Sequence, residues 1–184
     1  MLSTSMEIRS APTEAPDLET LFRDHNRMVY RTAYRLTGNS ADAEDVLQTV
    51  FLRLSSRDLL AKPVDHAESY LRRAAVNASL DLIRQRRAAG SHSEALVDQQ
   101  VAPPGDVPEH RLQMQQRVEW LRGAVGELSQ QAAEIFALRF FEERSNAEIA
   151  GIVGSSTNTV AVTLHRSRER LKDQFRQYLG GNHE

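Results

Sequence analysis

Basic side chains are concentrated in two short segments of this chain, although its formal net charge is -2. Residues 72–87 contain five arginines and one acid, and residues 166–176 contain five basic residues and two acids. Binding to phosphates depends on such local clusters more than on the total charge. Both segments are therefore candidate nucleic-acid surfaces, and solvated helix faces are the alternative interpretation.

Residues 145–164 have the steric pattern of a helix-turn-helix, a motif that commonly places one helix in the major groove of DNA. Ala150 is small where two helices would cross, and Gly154 allows the turn four residues later. Val160 then holds the second helix against the first. The segment predicts a helix whose first turn can reach phosphates or base edges.

Catalytic and metal-binding patterns are missing from the sequence. The chain has no cysteine, which excludes disulfides and thiolate zinc sites. It contains no nucleophile elbow and no phosphate-binding glycine loop. The histidines also lack the spacing of metal ligands. They are His25, His66, His92, His110, His165 and His183. We expect no enzyme activity, no catalytic residue, no metal and no cofactor.

Helical periodicity, with few glycines and prolines, predicts an all-α protein of two small helical domains joined by a flexible linker. The predicted divisions are a disordered tail at 1–17, a first domain at 18–88, an acidic linker at 89–110 and a second domain at 111–180. The first domain contains predicted helices at 18–37, from 39 or 40 to 54, and from 67 to 87. The second contains helices from 109 to 128, after a cap at Ser129, within the helix-turn-helix, and from 157 to 178. Ser145 and Glu148 form a capping box that predicts the start of the helix-turn-helix.

Helical spacing separates core positions from exposed ones. The second helix has an apolar stripe of Ala43, Val46, Leu47, Val50, Phe51 and Leu54. Its other faces carry Asp42, Asp45, Thr49, Leu52 and Arg53. In the third helix, Leu71, Ala74, Ala75, Ala78 and Leu82 can pack inward. Arg72, Arg73, Asn77, Asp81 and Arg84 line its other faces. Trp120 is expected in the core of the second domain.

Membrane signals are absent from the sequence. Its first 16 residues lack the apolar core of a signal peptide, and no apolar run approaches the roughly 18 residues of a membrane span. We expect a soluble, cytoplasmic protein with no membrane insertion.

Two blocks of sequence carry a family resemblance. VYRTAYRLTGNSADAEDVLQTVFLRL, followed by SYLRRAAVNASLDLIRQRR, resembles the region-2 domain of bacterial RNA polymerase sigma factors of the extracytoplasmic-function (ECF) group. LSQQAAEIFALRFFEERSNAEIAGIVGSSTNTVAVTLHRSRERL is similar to their region-4 domain. A lone helix-turn-helix is a weak functional signal, whereas the two blocks in this order are a specific one.

The resemblance implies binding to core RNA polymerase, at its β′ clamp helices and its β flap. The residues that it assigns to polymerase binding are Asp42, Asp45, Gln48, Thr49, Leu52 and Arg53. From the residues alone, Asp42 and Asp45 could instead be partners of the helix dipole.

The resemblance also implies that the third helix melts and reads the minus-10 promoter element. The candidate residues are Lys62, His66, Tyr70, Arg73, Asn77, Asp81, Arg84, Arg86 and Arg87. A stacking surface with cations along it suits single-stranded DNA. The loop at 62–68 would shape a pocket for a flipped base. A surface hydrogen bond between Asn77 and Asp81, and a solvated helix end for the arginines, are the alternatives.

The last helix is implied to read the minus-35 element. The candidate residues are Ser156, Thr157, Asn158, Thr159, Thr163, His165, Arg166 and Arg168. Where relatives commonly read TV-K-S-R-L-H-R-A, this chain has Ala161, Val162 and Thr163 after Val160. The change removes basic contacts and adds apolar surface suited to thymine methyl groups or to a protein partner. We expect low DNA affinity for the isolated domain.

Together these features predict an alternative sigma factor, bound to promoter DNA and controlled by an anti-sigma factor. One alternative is a sigma-like decoy that binds an anti-sigma factor without directing transcription. A second alternative is a conventional helix-turn-helix repressor, which would normally be a dimer.

Overall fold

The computed structural model of the chain describes residues 17–55, 67–90 and 108–181. Within these ranges the chain forms seven α-helices and no β-strand. The helices are α1 (Leu18–Thr37), α2 (Ser40–Ser55), α3 (Ala67–Ala88), α4 (Pro108–Gly126), α5 (Gln130–Phe140), α6 (Asn146–Val153) and α7 (Thr157–Gly181). The all-α prediction is confirmed, and the predicted helix ends lie within a few residues of the observed ones.

Local capping explains why several helices begin and end where they do. The Asp17 carboxylate accepts a hydrogen bond from the backbone N–H of Thr20 at 2.8 Å, which fixes the start of α1. Gly38 ends α1 in the left-handed region, with φ of +72°. Asn39 then accepts a bond from the backbone N–H of Asp42 and caps α2. The cap predicted at Ser129 is also present.

Helices α1, α2 and α3 share one apolar core, as predicted. Val29, Ala43 and Ala75 in this core are completely buried. Phe22 and Phe51 pack edge to face, with ring centroids 4.9 Å apart. Burial of Leu71 and Ala75 in this core fixes which face of α3 is left for other contacts.

Helices α4 to α7 form a second core around Ile135, Leu138 and Ile149, all completely buried or nearly so. Trp120 is partly buried and packs at this core's edge, 5.0 Å from the Phe175 ring centroid. The helix-turn-helix prediction is confirmed, because α6 and α7 are joined at Gly154 with φ of +67°.

The predicted capping box at the start of α6 is confirmed. Ser145 Oγ accepts from the backbone N–H of Glu148, and the Glu148 carboxylate accepts from the backbone N–H of Ser145 at 2.8 Å. The pKa of Glu148 is lowered from 4.5 to about 2 by three donors to its carboxylate: the backbone N–H of Ser145, Ser145 Oγ at 2.7 Å and the Arg144 guanidinium. Since folding lowers this pKa, the carboxylate stabilises the fold above pH 4.5, and the contribution is lost as pH falls through about 2.

The two cores meet directly. Leu36 of α1 and Val76 and Leu80 of α3 are buried in the second core rather than in the first. Helix α3 therefore lies between the two helical units and contacts α4, α5 and α6. The sequence had indicated two units joined by a linker and gave no sign of this contact.

Arg72 was expected on an outer face of α3, and that expectation is wrong. Only 7% of the residue is exposed. Its guanidinium donates to Glu142, which precedes α6, and to Glu68 one turn earlier on α3 at 2.7 Å. Two carboxylates compensate the charge, so burial is tolerated.

Substitution of Ser145 by alanine tests the cap of the helix-turn-helix. We expect Ser145→Ala to lower the free energy of unfolding by about 1 kcal/mol, because α6 loses its N-cap oxygen. Urea unfolding followed by circular dichroism measures the change. Ser155→Ala, which removes a hydroxyl outside any capping box, is the control. Equal stability of the two variants would contradict this account of the cap.

Candidate polymerase and nucleic-acid interfaces

Helix α2 presents an exposed face that includes one large apolar side chain, Leu52. Asp45, Gln48 and Arg53 are exposed on it, and Thr49 is half-buried. Leu52 is 66% exposed, the largest value among the exposed large apolar side chains of the described residues. An apolar side chain surrounded by polar ones fits the centre of a protein-binding surface.

Asp42 does not belong to that face, and its placement there by sequence is wrong. It is 2% exposed, and its carboxylate accepts a hydrogen bond from the Arg86 guanidinium on α3. Burial raises the pKa of Asp42, while the charge of Arg86 lowers it. The contact joins the start of α2 to the end of α3, so Asp42 has a structural position.

The minus-10 candidates of α3 form one continuous line along the helix. Tyr70, Arg73, Asn77, Asp81 and Arg84 follow one another at spacings of three or four residues. Arg86 and Arg87 lie beyond this line, at the end of the helix. Tyr70 also packs against the first core. Lys62 and His66 lie outside the described residues.

Two residues of this line contact the second helical unit, although Arg73 remains exposed. Arg73 Nε donates to Glu134 Oε1 of α5 at 2.5 Å. Asn77 accepts from Gln130 Nε2 at 2.8 Å and donates to Glu134 at 3.4 Å. Asn77 therefore bonds to α5, and the hydrogen bonds described for it do not include Asp81.

The end of α3 also contacts the second helical unit, although Arg87 remains exposed. Arg84 Nε donates to the backbone carbonyl of Gly126 at 2.9 Å, and its Nη1 also donates to Gln130. Arg87 forms an ion pair with Glu127. Asp81 pairs only loosely with Arg84, at 3.4 Å. Four of the seven described minus-10 candidates thus contact the second helical unit.

A cleft remains where the two units meet. It has a volume of about 740 Å³ and lies between the ends of α3, α4 and α7. Its lining includes Arg86, Arg87, Trp120, Arg122 and Tyr178. The contact between the units therefore combines ion pairs, the buried apolar side chains of Leu36, Val76 and Leu80, and unfilled space.

The start of α7 contains both capping and exposed side chains. Ser156 Oγ accepts from the backbone N–H of Thr159 at 3.0 Å and lies 2.8 Å from Thr159 Oγ1. These two minus-35 candidates therefore also hold the first turn of α7. The other exposed candidates are Thr157, Asn158, His165, Arg166 and Arg168, while Thr163 is half-buried.

The outermost line of α7 carries Asn158, Val162 and His165, opposite the buried Val160 and Leu164. Val162 is 41% exposed. Because the second helix of such a motif enters the major groove, this line would face base edges. Its chemistry is a carboxamide, a branched apolar group and an imidazole.

Two acidic residues of the second unit bind α3 and were not predicted from the sequence. Glu134 and Glu142 are 3% and 6% exposed, and each pairs with an arginine of α3. One signal was available for Glu134, since it interrupts the apolar run AAEIFAL. An acid within such a run is buried together with its neighbours and needs a cationic partner.

Among the described residues, no group of histidines and acids could hold a metal ion. Within the same ranges, every helix is too short or too polar to cross a membrane.

Comparison with known families matches both halves of the chain. The family described as Sigma-70 region 2 matches residues 21–89, and that described as Sigma-70, region 4 matches residues 119–171. The chain is similar to the ECF RNA polymerase sigma factor SigE of Mycolicibacterium smegmatis, at 31% identity over 89% of the chain. It spans 63% of the length of that relative.

Two further matches cover most of this chain and most of the matched protein. The RNA polymerase sigma-E factor of Streptomyces coelicolor is 29% identical over 88% of this chain and 88% of its own length. Among solved structures, the fold resembles CnrH in complex with the cytosolic domain of CnrY. That match has a TM-score of 0.51 and 23% identity, and it covers 87% of this chain and 88% of CnrH.

Replacement of Asp42 distinguishes a structural from a surface position. We expect Asp42→Asn to lower the free energy of unfolding by about 1 to 3 kcal/mol, because Arg86 loses its charged partner. Asp45→Asn, at an exposed site on the same helix, should change it by less than about 0.5 kcal/mol. Urea unfolding measures both. Equal effects would show that the buried pair does not stabilise the fold.

Proposed function

This chain belongs to the extracytoplasmic-function group of the sigma-70 family, and from that premise we propose that it acts as an alternative sigma factor. It would bring core RNA polymerase to a restricted set of promoters. One observation supports the proposal: an arginine-rich helix and a helix-turn-helix occur on one chain, in the two regions that match the family. A conventional repressor would need only the helix-turn-helix.

The face of α2 is the proposed contact with the polymerase β′ clamp helices. Leu52 supplies an exposed apolar centre, and Asp45, Gln48 and Arg53 surround it. Asp42 supports this face indirectly, by holding α2 against α3. The second unit would bind the β flap.

Opening of the minus-10 element is proposed for α3. Arg73, Arg84 and Arg87 would follow the phosphate backbone, Asn77 would hydrogen-bond to a base, and Tyr70 would supply an aromatic edge. Arg86 is held by Asp42, so its proposed role is the position of the helix end. The segment that contains Lys62 and His66, which lies outside the described residues, would receive a flipped base.

Recognition of the minus-35 element is proposed for α7. Thr157, Arg166 and Arg168 would contact phosphates, and the line of Asn158, Val162 and His165 would face the bases. Ser156 and Thr159 would keep the helix start in position. The two units act bivalently, because once both are held by polymerase their modest separate affinities combine.

Control by an anti-sigma factor is also proposed. CnrH, which has a similar fold, was solved in complex with the cytosolic domain of CnrY. A protein partner that covers the α2 face would prevent polymerase binding.

A decoy that binds an anti-sigma factor without directing transcription is the second candidate. The apolar surface of Ala161 and Val162 favours it, because the family pattern has a basic residue and a serine at these two positions. A decoy would capture the anti-sigma partner but would not bind core polymerase.

Run-off transcription with purified core polymerase tests the proposal. We expect a promoter-specific product from a genomic DNA template only when the protein is added. Leu52→Lys should reduce the product about tenfold, the effect of losing an interface hot spot. Met114→Lys, at an exposed apolar position on α4, is the matched control and should have little effect. If the wild-type protein gave no specific product, it would not be a sigma factor.

Thymine-to-deoxyuridine replacement tests the reading line of α7. Deoxyuridine lacks the thymine methyl group, so replacement within the mapped minus-35 element should weaken transcription about fourfold at one position, the equivalent of one buried methyl. In Val162→Ala the same replacement should have no effect. Val118→Ala, at a similarly exposed valine on α4, should keep the wild-type response. If every replacement of thymine by deoxyuridine left transcription by the wild-type protein unchanged, Val162 would not read a methyl group.

A further inference from the structure

We infer that the cleft between the ends of α3, α4 and α7 is a binding site for a nucleotide, a planar base that carries phosphate groups. Its volume of about 740 Å³ lies within the range of small-molecule sites in proteins. Among the described residues, its lining combines three guanidinium groups, two aromatic rings and two carboxylates. Binding of such a ligand does not depend on the proposed function.

Arg122 of α4 lines the cleft and is only weakly compensated. Its side chain is 17% exposed, and its ion pair with Glu119 is long, at 3.5 Å. Among the described residues, its buried Nε meets no hydrogen-bond acceptor. A guanidinium that has lost water without gaining close acceptors is unfavourable. A phosphate group in the cleft would supply acceptors, through the paired bonds that guanidinium groups form with phosphate.

Two further guanidinium groups lie at the end of α3, on the same cleft. Arg86 donates to the buried carboxylate of Asp42, which holds it in place. Arg87 pairs with Glu127, which is not part of the lining, and about half of its side chain is exposed. Each guanidinium has five N–H donors, so one carboxylate partner leaves others available. Arginines of α3 and α4 can therefore bind one group of phosphates together.

Glycines make room for two of these guanidinium groups. A Cβ at Gly38 would overlap the guanidinium of Arg122, and a Cβ at Gly123 would lie 2.7 Å from Arg87 Nη1. Glycine is unfavourable inside a helix, so Gly123 within α4 needs a reason. The close approach of Arg87 is that reason, and it places the guanidinium against the wall of the cleft.

Trp120 and Tyr178 supply a surface for a base. Their rings stack with centroids 5.5 Å apart, both are half-buried, and both line the cleft together with Leu82 and Ile83. Aromatic side chains bind nucleobases by stacking and tolerate different bases, because every base has a π-face. Binding of phosphate alone would not use these apolar groups. The combination therefore favours a nucleotide over a free inorganic anion.

The charges of the cleft suit an anion with a polar base. Its two acids are Asp42, which is bound by Arg86, and Glu119. With three arginines against two acids, the lining formed by the described residues has a net charge of +1. The Glu119 side chain is 51% exposed, so its carboxylate can also accept a hydrogen bond from the exocyclic amino group of a base.

Fluorescence of Trp120 tests the inference directly. It is the single tryptophan of the chain and lines the cleft, so a base bound there would quench its emission. The probe is ATP, added to the whole chain in a buffer without divalent cations, and we expect saturable quenching. Absence of saturable quenching would overturn the inference.

Two fragments of the probe distinguish a nucleotide site from a plain phosphate site. Adenosine keeps the base without the phosphates, and tripolyphosphate keeps the phosphates without the base. Each should compete with ATP at least about tenfold more weakly than ATP itself, since each keeps only part of the contacts. If tripolyphosphate bound as tightly as ATP, the assignment to a nucleotide would be wrong.

Replacement of Arg122 tests the phosphate contact. We expect Arg122→Gln to lower the affinity for ATP about tenfold, the effect of losing a charge-assisted bond to phosphate. Arg117→Gln is the matched control, because Arg117 is exposed on the same helix and lies outside the cleft. It should change the affinity by less than about twofold. Equal affinities of the two variants would contradict the inference.

Arg87→Gln provides a second variant at an exposed position, where replacement leaves the buried part of the cleft intact. We expect the affinity for ATP to fall about threefold, less than for Arg122→Gln because solvent screens this guanidinium. Circular dichroism checks that the variants keep their helices. Wild-type affinity in folded Arg87→Gln would show that no phosphate lies against α3, which contradicts the inference.

Discussion

Helix α3 packs against both apolar cores at once, and the rest of the structure depends on how it does so. One side of the helix contributes Leu71 and Ala75 to the first core, while Val76 and Leu80 enter the second. The remaining polar side carries the arginines and Asn77. No orientation of the helix leaves all of its basic residues in water while burying both apolar sides. Carboxylates at Glu134 and Glu142 meet these cations where the units join, and paired charges are the condition for burying them.

Much of the fold could be predicted from local signals in the sequence. The helix ends at Gly38 and Gly154 follow from the left-handed backbone that glycine allows, and the box at Ser145 follows from its own spacing. The fates of Asp42 and Arg72 could not be predicted in this way. Both are charged residues on helix faces that the periodicity leaves open, and their burial depends on Arg86 and Glu142, which are distant in sequence. Long-range pairs of this kind have no local pattern.

The same limitation applies to the candidate sites. Sequence identified the reading line of α3 and the exposed start of α7, because family spacing and helical periodicity both point to them. It did not identify the partners of α3. Glu127 and Gln130 look like ordinary residues of an amphipathic segment, and only Glu134 carries a signal, because it interrupts an apolar run. In the proposed account, one set of donors serves two states: carboxylates and amides bind them in the free protein, and phosphates and bases bind them at a promoter. Because the donors form similar hydrogen bonds in both states, a small difference in free energy between the states can control the exchange.

The account therefore requires the two helical units to move apart when the protein meets polymerase. Because the chain has no cysteine, spin labels can be placed at Glu44→Cys on α2 and Gln177→Cys on α7, both of which are exposed. Pulsed electron spin resonance then gives the distance between the labels in the free protein and in its complex with core polymerase. The account predicts a single short distance in the free protein and a clearly longer one in the complex. An unchanged distance in a complex that still initiates transcription would contradict it.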